Sequence, residues 1–161
     1  MSKLQDAIVS VALSQVGIRE AQANNTGPDI VKYQKATTLP PGPWPWCSAF
    51  VSWVLASASE LVEVKIPIYT GALAYGWEKH ARDHGWEIFG EQAATLPGDI
   101  ITFDFSHVGI VTAASAQELK FIQTVEGNTN GKGERDSETG DGVWSKTRAR
   151  SLAKSIIRIK V

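Results

Sequence analysis

The chain has 161 residues, of which 43% are hydrophobic and 20% are charged, a balance typical of a soluble globular protein. This length predicts one domain, residues 1–161, that buries its own core. The formal net charge of −1 argues against binding to nucleic acid or to an anionic membrane surface. One cysteine excludes an internal disulfide and a multi-cysteine zinc site, and no cofactor is predicted.

The N-terminal residues 1–6 lack the features of a Sec-type signal, and no window approaches the ~18 consecutive apolar residues of a membrane span. We therefore expect a protein that is made in the cytoplasm. A substrate outside the cytoplasm would then require release or delivery of the protein.

Two helices are predicted in the first quarter of the chain. Apolar residues recur at helical spacing from Leu4 to Val16, and Gly17 is suited to end that helix. A polar loop follows. Pro28 then occupies the position of a first-turn proline ahead of a short second helix.

The stretch around Cys47 carries the strongest chemical signal. Residues 39–45 are rich in proline and glycine and cannot be helical, whereas an almost continuous apolar run follows Cys47. A buried helix is therefore predicted to start at Trp46 or Cys47, where unpaired N–H groups and the helix dipole favour a thiolate. Cys47 is interpreted as a nucleophile, and the alternative is a small buried core residue.

The next segments are less regular. Residues 61–67 are too interrupted to classify. Residues 69–84 predict a helix or a pair of turns that ends at Gly85, with apolar residues on one stripe at Leu73, Trp77 and Ala81.

Short segments in which apolar and polar residues alternate dominate the second half of the chain. Strands are predicted at residues 86–89, 100–105, 107–112, 119–128, 143–148 and 156–161. Because helices come first and closely spaced strands second, the fold class is α+β, with N-terminal helices packed on a C-terminal antiparallel sheet.

An acidic loop is predicted at residues 129–142, where the carboxylates are Glu134, Asp136, Glu138 and Asp141. Their spacing does not match an EF-hand loop, and the closing glutamate is absent. A solvated loop is preferred to a calcium site, and no metal site is predicted.

Three histidines could supply the base that a thiol nucleophile requires. His80 and His84 lie four residues apart in a charged helical run without the glutamate of a zinc-protease motif, which favours a solvated helix face. His107 instead begins an apolar strand directly after Ser106, where a tight connection would hold the imidazole at the end of the sheet. His107 is therefore the predicted base.

Two polar residues are predicted to orient the imidazole. Glu126 and Asn128 are two residues apart in a strand and so point to the same face. A carboxylate or amide oxygen there can accept a hydrogen bond from the imidazole and fix its tautomer. The alternative is that residues 126–128 are only a strand end that runs into a turn.

Four segments together resemble the CHAP family of cysteine amidohydrolases and peptidases, which is related to the NlpC/P60 peptidases. They are residues 46–53 (WCSAFVSW), 97–103 (PGDIITF), 106–111 (SHVGIV) and 126–128 (EGN). The resemblance implies a papain-like α+β fold and a peptidoglycan hydrolase that cleaves an amide bond. That bond is either N-acetylmuramoyl–L-alanine or a peptide bond of the stem or cross-bridge.

The resemblance also implies roles for individual residues. Cys47 matches the nucleophile, His107 the base, Glu126 the polar third residue and Asn128 a fourth position. The calcium site of some phage members has no counterpart in this sequence. Two aromatic residues before the nucleophile are candidates for the wall of a substrate groove, with core packing as the alternative for each; they are Trp44 and Trp46.

Two other classes remain open at this point. One is a catalytically inactive wall-binding or tail structural protein, and the other is a thiol acyltransferase or peptidase that acts on a non-wall substrate. A hydrolase of this size fits a phage lysin or a secreted antibacterial effector, which would have an immunity protein as a partner. The sequence leaves the oligomeric state and the target organism unknown.

Overall fold

The computed structural model describes residues 1–21, 24–131 and 140–161. Within these ranges, four α-helices come first: α1 Lys3–Ser14, α2 Pro28–Gln34, α3 Cys47–Leu61 and α4 Gly76–Asp83. Six strands follow: β1 Glu87–Phe89, β2 Ile100–Phe103, β3 His107–Val111, β4 Phe121–Thr129, β5 Gly142–Ala149 and β6 Ala153–Arg158. A 3₁₀ turn at Arg150–Leu152 joins β5 to β6.

The strands of the described residues form one antiparallel sheet in the order β1-β6-β2-β3-β4-β5. This confirms the α+β fold class. The central strands β2 and β3 are joined by a tight connection, so the chain turns directly from Phe103 to His107. This turn brings the predicted base to the end of the sheet.

The helices begin where local chemistry predicts. Ser2 and Gln5 form a capping box in front of α1, in which each side chain accepts a hydrogen bond from the other residue's backbone N–H. Pro28 is the first residue of α2. Helix α3 starts at Cys47, immediately after the proline-rich segment, as the sequence predicted.

Apolar side chains cover both faces of the sheet. The larger cluster packs α1, α2 and α3 against one face, which presents Val108, Ile110 and Val125. A smaller cluster lies on the other face and includes Phe103 and Val111. The buried strands β2 and β3 are therefore held from both sides, which fixes the position of the turn between them.

Two predictions about element boundaries were wrong. Leu73 does not share a helical stripe with Trp77, because α4 begins only at Gly76 and the Leu73 side chain is 75% exposed. Strand β6 begins at Ala153 and ends at Arg158, rather than spanning residues 156–161. Its pairing with β1 ends at Glu87↔Arg158, so the last three residues have no strand partner there.

No helix within the described ranges is both long and apolar enough to cross a membrane.

Candidate active site

The single cysteine lies at the N-terminus of a buried helix. Cys47 is the first residue of α3 and its side chain is 5% exposed. The first α-helical hydrogen bond at this end runs from the N–H of Phe50 to the carbonyl of Trp46. The preceding N–H groups, including that of Cys47, have no partner inside the helix and can stabilise a negative charge next to the sulfur.

The His107 imidazole is fully buried between aromatic rings and a carboxylate. Its ring stacks against Phe103 and Phe105, at centroid distances of 5.9 Å and 5.7 Å. Its Nε2 donates a 2.8 Å hydrogen bond to Oε1 of Glu126. Because the carboxylate only accepts, the neutral imidazole carries its proton on Nε2, and Nδ1 is the basic nitrogen.

Cys47 and Glu126 together determine the charge of His107. Burial alone lowers the pKa of His107, but interactions with the Cys47 side chain and with the Glu126 carboxylate outweigh it and raise the pKa to about 9. Nδ1 makes no hydrogen bond of ordinary geometry. It is therefore the nitrogen left to exchange a proton with the thiol.

A buried arginine stabilises the charge of Glu126. Nε of Arg148 donates to Oε2 of Glu126 at 3.0 Å and Nη2 donates to Oε1 at 2.6 Å. Thr124 also donates to Oε2. Burial raises the pKa of Glu126, but the contacts with His107 and Arg148 reverse this and lower the pKa to about 2. The carboxylate is therefore ionised throughout the neutral range.

A glycine makes room for this carboxylate. A Cβ at Gly109 would lie 2.6 Å from Cγ of Glu126. Because Gly109 has no side chain, the Glu126 side chain can cross strand β3 to reach His107.

Sequence reasoning missed Arg148. It lies in β5, opposite Ile122 of β4, four residues before Glu126. Strand alternation in one segment cannot show which residues of another strand come opposite it. A signal was nevertheless present, because arginine is rarely placed in a buried strand without an acidic partner.

The backbone at Asn128 departs from regular strand geometry. The β4–β5 pairing is irregular between Glu126 and Thr129, and Asn128 has a φ of 56°. The simple alternation that would align its side chain with Glu126 is interrupted there. Neither nitrogen of His107 is hydrogen-bonded to Asn128. The structure therefore brings together Cys47, His107 and Glu126 and adds Arg148 as a partner of Glu126, whereas Asn128 makes no hydrogen bond to the imidazole.

The two tryptophans differ in position. Trp46 is fully buried, stacks on Tyr33 at 5.5 Å and donates from Nε1 to Glu20 at 3.0 Å. The interpretation of Trp46 as a groove wall is therefore corrected to core packing. Trp44 is half-buried and lines a cavity that also includes Cys47.

The remaining candidates lie outside this cluster. His80 lies in α4 and His84 is the residue that follows this helix. Their rings contact one another at a centroid distance of 4.2 Å. Among the residues that the structure describes, no three His, Cys, Asp or Glu side chains group in a way that could hold a metal ion. Asp141 accepts a hydrogen bond from Trp144. The other acidic loop residues, Glu134, Asp136 and Glu138, lie outside the described residues.

A tyrosine fixes the turn that precedes His107. The Tyr75 hydroxyl donates to the carbonyl of Phe103 at 2.7 Å and accepts from the N–H of Ser106 at 2.9 Å. Ser106 has a φ of 57°, a conformation that is unfavourable for a residue with a side chain. The hydroxyl therefore stabilises the backbone from which the imidazole projects, and Tyr75 is a candidate positioning residue.

We expect Tyr75→Phe to lower kcat roughly tenfold and to leave KM unchanged, because the ring remains while two hydrogen bonds at the turn are lost. Hydrolysis rates on soluble peptidoglycan fragments, the substrate class that the sequence resemblance implies, measure this. Tyr69→Phe is the control, since its hydroxyl is not part of the bridge. An unchanged kcat for Tyr75→Phe would remove Tyr75 from the positioning residues.

Comparison with protein families matches residues 39–128 to the CHAP domain, which is more than half of the chain. The chain belongs to the CHAP domain family. The match contains Cys47, His107 and Glu126, whereas Arg148 lies beyond it. No curated protein matches the chain.

Membership of the CHAP family indicates hydrolysis of peptidoglycan, by amidase or peptidase chemistry. The CHAP match ends at Asn128, so β5 and β6 are supplied by residues outside it. The ion pair that holds Glu126 therefore joins a residue of the matched segment to one outside it.

Proposed function

We propose that this CHAP protein is a cysteine-dependent peptidoglycan hydrolase that cleaves an amide bond. The proposal is supported by a buried series of side-chain interactions, in which Cys47 interacts with His107, His107 with Glu126, and Glu126 with Arg148. A thiol nucleophile needs a base, and the base needs an orienting partner. A wall-binding protein without catalytic activity does not require a buried imidazole that interacts with the chain's single thiol.

In the acylation step, the Cys47 thiolate attacks the carbonyl carbon of the scissile amide. Backbone N–H groups at the start of α3 stabilise the oxyanion. The tetrahedral intermediate collapses as the C–N bond breaks, and the imidazolium of His107 gives its Nδ1 proton to the leaving amine. The products are a thioester on Cys47 and a free amine.

In the deacylation step, neutral His107 accepts a proton from water at Nδ1, and the resulting hydroxide attacks the thioester carbonyl. The C–S bond breaks and releases the carboxylic acid, and the Cys47 sulfur returns as the thiolate beside the imidazolium. Glu126 keeps the ring oriented through Nε2 in both steps.

The pKa of His107 predicts the alkaline limit of activity. The imidazolium protonates the leaving amine, so kcat/KM should fall as the pH rises through about 9. Glu126→Gln should move this limit to lower pH, because it removes one of the interactions that raise the pKa of His107. A pH profile of hydrolysis for both proteins measures the shift, and coincident profiles would contradict the role of Glu126.

The same shifts set the pH dependence of stability. The pKa of His107 is raised from 6.5. Its stabilising contribution to the free energy of unfolding is therefore complete below about pH 6.5 and is lost as the pH rises through about 9. The pKa of Glu126 is lowered from 4.5, so its contribution is present above about pH 4.5 and is lost as the pH falls through about 2. Their combined contribution to the free energy of unfolding is therefore greatest between about pH 4.5 and 6.5.

Incubation with purified sacculi tests the proposal. Mass spectrometry of the released products distinguishes a new muramoyl end from a new stem-peptide end, and so identifies the bond. Intact sacculi, together with cleavage of a non-wall amide, would favour a thiol peptidase or acyltransferase of a different substrate.

We place the site of action at the cell wall, after release or delivery from the cytoplasm. A phage lysin and a secreted antibacterial effector both fit this proposal. Neighbouring genes distinguish the two, because a holin accompanies a lysin and an immunity protein accompanies an effector.

A further inference from the structure

We infer that the groove beside Cys47 selects an electrically neutral segment of the wall substrate. This inference rests on the proposed function and adds the chemical character of the substrate on one side of the reacting bond. The groove is a cavity of about 630 Å³ that opens next to the thiol. Besides Cys47, the residues that line it include Leu39, Trp44, Leu73, Tyr75 and Ser106.

Apart from Cys47, whose sulfur is the proposed thiolate, the cavity is lined by no Asp, Glu, Lys, Arg or His side chain. Two of the lining leucines are strongly exposed, Leu39 at 45% and Leu73 at 75%. Covering these side chains with a ligand removes apolar surface from water and favours binding. A charged ligand group in the same place would lose its water without gaining an opposite charge, which disfavours it strongly.

The polar atoms of the aromatic lining residues are already engaged. Nε1 of Trp44 donates to the carbonyl of Pro40 at 2.8 Å. The Tyr75 hydroxyl is hydrogen-bonded to the turn before His107. Both residues therefore offer ring surface to a ligand, which suits uncharged groups such as sugar rings, acetyl groups and small aliphatic residues.

The first wall of the groove is held by a buried glutamine. Gln34 is 1% exposed, and its side-chain amide bonds to the backbone of Gly42 and Trp44. The proline-rich segment that carries Leu39 and Trp44 is thereby fixed to α2.

The second wall is held by two hydroxyls of α3. Ser48 donates to the carbonyl of Gly71 at 2.9 Å, and Ser52 donates to the carbonyl of Tyr69 at 2.7 Å. These bonds fix the segment that leads to Leu73. The groove therefore exists before substrate binds, and its neutral character is a fixed property of the site.

Peptidoglycan contains both electrically neutral and charged segments. Its N-acetylated sugars, lactyl ethers, alanines and glycines are neutral, whereas the stem has free carboxylates and an amine. The inference assigns a neutral segment to the groove and places the charged groups of the stem outside it.

Soluble wall fragments in two forms test this inference. One form is untreated, and in the other the carboxylates are amidated with carbodiimide and ammonia and the amines are acetylated. We expect the wild-type protein to cleave the neutralised form with a kcat/KM no more than about threefold below that of the untreated form. A larger loss would show that a charged group is recognised, and would overturn the inference.

A substitution in the groove provides the second arm. Leu73→Asp should raise KM about tenfold on the neutralised fragments with little change in kcat, because the segment would have to cover a carboxylate. The control is Leu61→Asp, since Leu61 is 67% exposed at the end of α3 and does not line the groove. Equal KM values for the two variants would overturn the inference. Failure of the wild-type protein to cleave either form would contradict the proposed function instead.

Discussion

Cys47→Ser is expected to keep the fold and to lower the rate of sacculus hydrolysis by at least about 10³-fold. The serine hydroxyl is a far weaker acid than the thiol, so the helix N-terminus and His107 cannot hold it in the ionised form that attacks the amide. Residual turnover would come only from substrate binding and the oxyanion site. The decrease in turbidity of a sacculus suspension measures the rate, and circular dichroism verifies the fold.

The neighbouring residues give a graded series. His107→Ala should lose about as much activity as Cys47→Ser, because the two residues act as a unit. Glu126→Gln should lose less, since it removes an orienting charge and leaves both reacting groups in place. Near-normal hydrolysis by Cys47→Ser would refute the nucleophile assignment, whatever the other variants do.

Arg148→Met is expected to lower the free energy of unfolding by about 3–5 kcal/mol at neutral pH. Arg148 is 4% exposed and Glu126 is fully buried, so the substitution removes the guanidinium that donates to both oxygens of a buried carboxylate. Its guanidinium also lies over the rings of Phe103 and Phe105, at 5.3 Å and 5.2 Å. Urea denaturation at pH 7 measures the change.

Two further variants separate charge from packing. Arg82→Met, which removes an exposed arginine from α4, should change stability by less than about 0.5 kcal/mol. The double variant Glu126→Gln, Arg148→Met should recover part of the loss, because no unpaired charge stays buried. A loss below about 1 kcal/mol for Arg148→Met would show that Glu126 does not depend on this arginine.

The positions of the two proposed reacting residues, Cys47 and His107, were predictable because each is marked by local sequence. The proline-rich segment ends at residue 45 and an apolar run begins after it, so the start of the Cys47 helix could be placed. His107 follows a turn and begins an alternating apolar strand, which located it at the end of the sheet. Local rules of this kind depend only on residues that are close in the sequence.

The parts that were missed depend on pairing between distant segments. Arg148 reaches Glu126 only through the register of β4 and β5, and an irregularity in that same pairing interrupts the alternation that would align Asn128 with Glu126. Trp46 is adjacent to the nucleophile in sequence but turns into the core to meet Tyr33 and Glu20. None of these arrangements leaves a periodic signal in a single segment.

Alkylation of Cys47 tests the central claim most directly, because the chain has one cysteine and the label can occupy no other thiol. With iodoacetamide at pH 7, we expect hydrolysis of sacculi to be lost in proportion to the labelled fraction measured by intact mass. We also expect His107→Ala to be labelled at least about tenfold more slowly. Full labelling with full retention of hydrolysis, or equal labelling rates for the two proteins, would contradict a reactive pair of Cys47 and His107.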